Sequence, residues 1–69
     1  MIERRYQHKR YGILFVAEVV NNGRIAGFRY KNETESYYSR FYLRWEDAQA
    51  ALDTKALKYG WTEIKEESK

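Results

Sequence analysis

The sequence predicts an α+β domain, a three-stranded antiparallel sheet with one helix packed on one face, from three observations. Asn22-Gly23 lies between two apolar runs, and Asn-Gly is the strongest short hairpin signal because both residues tolerate the positive φ of a type I′ turn. Residues 37–44 alternate two sets of side chains with a period of two, the mark of a strand. From Trp45 the period lengthens to that of a helix, and the pattern stops at Gly60.

The hairpin sets a register. With Asn21 opposite Arg24, Val19 meets Ala26, Ala17 meets Phe28 and Phe15 meets Tyr30, which predicts strands at Ile13–Val20 and Arg24–Tyr30. Alternation then gathers Ile13, Phe15, Ala17, Val19, Ala26, Phe28 and Tyr30 on a core face, with Leu14, Val16, Val20, Ile25, Arg29 and Lys31 on the other. The polar stretch 31–36 is a connection to a third strand, Tyr37–Leu43, with Phe41 and Leu43 inward and Tyr38, Arg40, Tyr42 and Arg44 outward. Trp45, Ala48, Leu52, Ala56 and Tyr59 form the inner stripe of a helix over Trp45–Tyr59. Glu46 and Asp47 suit the positive end of its dipole. Gly60 ends it, Trp61 packs back on it, and Thr62–Lys65 has the length of a brief fourth strand with Ile64 inward. Residues 1–10 read as a basic arm, 11–65 as a single domain and 66–69 as a frayed tail.

Sixty-nine residues allow one small core. The absence of Cys excludes disulfides and Cys-ligated metals, and one His, His8, cannot build a multi-His site. The longest apolar stretch is too short to span a bilayer, so no membrane is expected and a cytoplasmic location is. His8, in a Lys/Arg-rich segment, reads as an exposed arm residue. No nucleophile or base has an orienting neighbour, so an enzyme and a cofactor are not expected.

Charge separates along the chain: residues 1–44 hold nine Lys or Arg against four acids, and 45–69 hold four against six. Arg29, Lys31, Tyr38, Arg40, Tyr42 and Arg44 would share the open face of the sheet, with Arg4, Arg5, Lys9 and Arg10 on the arm reaching beyond it. Arg and Lys contact phosphates and Tyr stacks on bases, so a basic module binding nucleic acid is the expected function. The alternative is a protein-binding inhibitor or adaptor of phage or mobile-element type. Leu14, Val16, Val20 and Ile25 on the same face suit a protein partner or a homodimer.

The run from Phe41 to Ala48, continuing into Ala50-Ala51-Leu52-Asp53 after three predicted strands, resembles two DNA-binding modules at the level of pattern over about residues 11–59. They are the plant ethylene-response-factor domain and the amino-terminal arm-binding domain of tyrosine-recombinase integrases. Phe41, Glu46, Asp47 and Ala48 hold the places of the phenylalanine that closes the third strand and the acids and alanine that open the helix. The resemblance implies an open sheet laid in the DNA major groove, read here through Arg29, Arg40, Tyr42 and Arg44.

Overall fold

In the computed structural model, which describes residues 3–65, the chain runs β1 (Arg5–His8), β2 (Gly12–Asn21), β3 (Arg24–Lys31), α1 (Trp45–Tyr59) and β4 (Thr62–Ile64). The strands form one open antiparallel sheet in the order β3-β2-β1-β4, with the helix against one face. The α+β class is as expected, but the strands that build the sheet differ. The segment read as a basic arm supplies β1, which pairs with both β2 and β4. Residues 37–43 form no regular strand and meet β3 through bridges from Tyr42 to Phe28 and from Tyr38 to Lys31 and through Ser39 Oγ, which accepts the Tyr30 N–H at 3.0 Å. The expected tail, 66–69, and Met1 and Ile2 of the arm lie outside the described residues.

The turn forms as its residues dictate. Asn22 has φ 55° and Gly23 φ 77°, and Asn21 and Val20 pair with Arg24 and Ile25. The ladder then slips: Val19 pairs with Gly27, Ala17 with Arg29, Val16 with Tyr30 and Phe15 with Lys31. Ala26 is the extra residue of a β-bulge, and a slip of one reverses which side of β2 accompanies the inner side of β3. Phe28 and Tyr30 remain on the core side, as expected. On β2, however, Leu14 and Val16 are buried, while Ile13 and Phe15 take the other side.

Gly27 lets the 41–42 segment close on β3. A Cβ there would meet the Phe41 ring and lie 2.5 Å from the Tyr42 carbonyl. Phe28 and Tyr42 exchange backbone hydrogen bonds of 2.7 and 2.8 Å at this approach. Tyr42 consequently packs against the core, and Phe41, expected inward, is exposed.

The helix has the predicted bounds. Glu46 and Asp47 occupy its first turn, Lys58 its last, and Gly60 closes it in the left-handed conformation (φ 73°). Trp61 donates its N–H to the Ala56 carbonyl at 2.9 Å and its ring stacks on Tyr59. The inner stripe is Ala48, Gln49, Leu52 and Ala56, and Tyr59 is exposed. The small alanines let the helix lie close on the sheet; Leu52 and Leu14 are both fully buried in the shared core, each contributing about 1.5–3 kcal/mol. β4 pairs Ile64 with Arg5 and Glu63 with the buried Tyr6, so Ile64 faces away from the helix, not inward.

Candidate functional site

Three polar or aromatic clusters stand out. The first is a clasp between β1 and the helix. Asp53 accepts hydrogen bonds from Arg4 at 2.6 Å, from the Tyr6 hydroxyl at 2.6 Å and from the Gln49 amide at 2.9 Å. Burial and the bond to Asp53 push the Tyr6 phenol up to about 12. Burial opposes ionisation of Asp53, but the bonds from Arg4, Tyr6 and Gln49 outweigh it and hold its carboxyl below the usual range. The hydrogen bond and charge of Asp53 raise the Arg4 guanidinium. At neutral pH the phenol is therefore protonated and the carboxylate ionised, which fits a structural tie and supplies no proton near its own pKa.

The second lies at one end of the sheet, where His8, Tyr11, Tyr37 and Trp61 pack with ring centroids 4.9 to 6.1 Å apart. His8 is half-buried here rather than exposed on an arm. Its Nδ1 accepts the N–H groups of Arg10 and Tyr11 at 3.0 and 3.2 Å, capping the β1–β2 turn.

The third is the sheet face opposite the helix. The pairing of Gln7 with Ile13 and Arg5 with Ile64, and of Phe15 with Lys31 and Ala17 with Arg29, places these residues on one side, because directly opposed residues share a face. An apolar row on β2, Ile13-Phe15-Ala17-Val19, is thus flanked by Arg5 on β1 and by Arg29 and Lys31 on β3. Lys31 Nζ lies 5.5 Å from the Phe15 ring centroid and the Arg29 guanidinium 4.8 Å from that of Tyr38. Glu35 spans the two cations, with Oε1 3.2 Å from Arg29 and Oε2 3.2 Å from Lys31. A hollow of about 370 Å³ opens beside Phe15, bordered by Arg5, Tyr11, Ile13 and Asn32. Asn32 is buried and frames it, donating to the Tyr11 carbonyl at 3.0 Å and Ser36 at 2.9 Å while accepting the Tyr37 N–H at 3.1 Å.

Of the residues expected to bind together, the structure gathers Arg5, Arg29, Lys31 and Tyr38. Arg4 is engaged by Asp53, and Lys9 and Arg10 ride the exposed β1–β2 turn. Tyr42 packs on the helix side with Arg40 over its ring at 5.2 Å. Arg44 stands at the N-cap position of the helix with no side-chain cap bond, 3.8 Å from Glu46. Leu14 and Val16, expected on a homodimer surface, are buried under the helix, leaving Val20 and Ile25 exposed at the hairpin tip. Sequence reasoning assigned Ile13 and Phe15 to the core because the bulge at Ala26 leaves no signal in the hydrophobic pattern. It gave Glu35 no part in the site, since its contact with β3 depends on the loop's path.

Among the described residues, no group of three or more His, Asp or Glu is placed to hold a metal ion, and no helix is long and apolar enough to cross a membrane. Compared with protein-family models, curated proteins and solved structures, the chain matches none.

Proposed function

We propose that this chain is a non-enzymatic module of the cytoplasm that binds single-stranded nucleic acid on the open face of its sheet. The observation that supports this most is the pairing of rings with cations there, Phe15 with Lys31 and Tyr38 with Arg29. Single strands are held by aromatic platforms on which bases stack, worth about 1–3 kcal/mol per base, with cations tracking the phosphates. A duplex hides its base faces, so the exposed Tyr38 ring and the half-buried Phe15 ring beside its hollow favour the unpaired strand. The hollow beside Phe15 falls at the small end of ligand sites, which run from about 300 Å³.

A second reading keeps the same face for a protein partner and is supported by the apolar row Ile13-Phe15-Ala17-Val19. Salt separates the two. With Arg29 and Lys31 sharing one phosphate and Arg5 meeting a second, log affinity for a ten-nucleotide thymidine strand falls against log salt with a slope of about −1.4, at about −0.7 per phosphate. Fluorescence anisotropy across a salt series measures it, with a duplex of equal length as the comparison. Replacing Arg29 and Lys31 together by Ala, in a variant shown to be folded, should halve the slope, to about −0.7. Absence of strand binding by the folded wild-type protein, or affinity unchanged in the double variant, would reject nucleic acid and leave a protein partner.

A further inference from the structure

Arg29 and Lys31 lie two residues apart on β3, so both side chains rise from the same side of the sheet. They converge on a single carboxylate, one oxygen of Glu35 to each cation at 3.2 Å. Two donors gripping two oxygens of one anion is also how proteins hold a phosphate.

Glu35 is the loosest member of the trio. Its side chain is 52% exposed, against 30% for Arg29 and 17% for Lys31. Its backbone sits at φ 61°, a region uncommon for residues other than glycine. Asn32 sustains that conformation: its carbonyl accepts the Glu35 N–H at 3.2 Å, and its amide ties down Ser36 and the Tyr37 N–H. The loop is therefore built to return the carboxylate over the sheet. Exposed ion pairs of this kind are weak and screened by salt, so a competing anion can displace one.

We infer that Arg29 and Lys31 form a phosphate site on the open face and that Glu35 occupies it as an internal competitor, which a phosphodiester of the bound strand displaces. The identity of that ligand rests on the nucleic-acid reading above; the site and its latch do not. A single phosphate competes poorly with a tethered carboxylate. A strand presenting several phosphates, with bases stacked on Phe15 or Tyr38, displaces it readily.

The test is Glu35→Gln, which keeps the shape and removes the charge, with Glu35→Asn as a second variant because Asn tolerates positive φ. Amide spectra establish that each is folded. Inorganic phosphate is titrated while the side-chain NMR signals of Arg29 and Lys31 are followed, and the ten-nucleotide thymidine strand is titrated by anisotropy. Both variants should bind phosphate at those two side chains about fivefold more tightly than wild type, within the gain that releasing two exposed ion pairs allows. They should also bind the strand about fivefold more tightly at low salt, with the gain fading at high salt. Phosphate binding at Arg29 and Lys31 equal in all three proteins would overturn the latch. So would a gain that survives when Arg29 and Lys31 are both replaced by Ala. If the strand binds wild type through Arg29 and Lys31 but neither variant binds it more tightly, the latch falls and the nucleic-acid reading stands. If phosphate binds the variants more tightly while the strand binds none of the proteins, the latch stands and that reading falls.

Discussion

The Gln49 side chain holds the main chain of Arg4 at both ends of its amide: Oε1 accepts the Arg4 N–H at 3.2 Å and Nε2 donates to the Arg4 carbonyl at 3.1 Å. The helix thereby makes the contact a neighbouring strand would make, just before β1 begins. Gln49 is 2% exposed, so nothing replaces these bonds if the amide is lost. Gln49→Ala should destabilise the fold by about 2–3 kcal/mol, the cost of leaving buried polar groups unpaired. Urea unfolding measures the loss, and amide exchange at Tyr6 should accelerate with it.

Stability should be lost at both ends of the pH range. The folded pKa of Asp53 is lowered from 3.8, so its contribution is complete above that value and disappears as pH falls through the lowered one. Burial raises Tyr6 and Tyr30 from 10.0 to about 12, in Tyr6 with help from Asp53. Their contributions are complete below pH 10 and are lost as pH rises through about 12. The urea midpoint should be flat between about pH 5 and 9, and Tyr6→Phe should shrink the alkaline decline.

Gly27→Ala forces the new methyl against the Tyr42 carbonyl and the Phe41 ring, and backbone cannot yield as a flexible side chain would. A loss of about 1–3 kcal/mol is expected, as for overpacked sites. Protection of the Phe28, Tyr30 and Tyr42 amides from hydrogen exchange should fall before that of Ala17 and Arg29, which pair between β2 and β3, because the edge segment detaches first.

Phe15→Ala and Tyr38→Ala should each weaken binding of the thymidine strand by about 1–3 kcal/mol, the worth of one stacked base. Leu57→Ala, on the helix's exposed side, should leave it unchanged. Equal affinities across the three variants in anisotropy would remove the stacking role.

Several elements were legible because they are local. The Asn22-Gly23 turn depends on the φ preferences of two residues. The helix depends on a repeat with Glu46 and Asp47 at one end and Gly60 at the other, and its bounds came out as read. The β4 segment was likewise visible after Gly60. Within the candidate site, Arg29, Lys31 and Tyr38 were correctly placed on the open face, since each occupies the alternate position to a core residue or meets one that does.

The sequence by itself determined the turn, the helix and the inner side of β3. Tertiary structure decided which side of β2 is buried. Ile13-Phe15-Ala17-Val19 and Leu14-Val16 are both apolar enough for a core, so the pattern carries no preference between them; one extra residue at Ala26 shifts the ladder and chooses Leu14 and Val16. That shift coincides with the approach of Phe41 and Tyr42 to Gly27, residues far along the chain whose contact no local period reports. The same holds for β1. Arg5–His8 reads as a basic arm until β2, β4 and the Arg4–Gln49 bonds take up its backbone, and hydrogen bonds between distant segments leave no trace in composition.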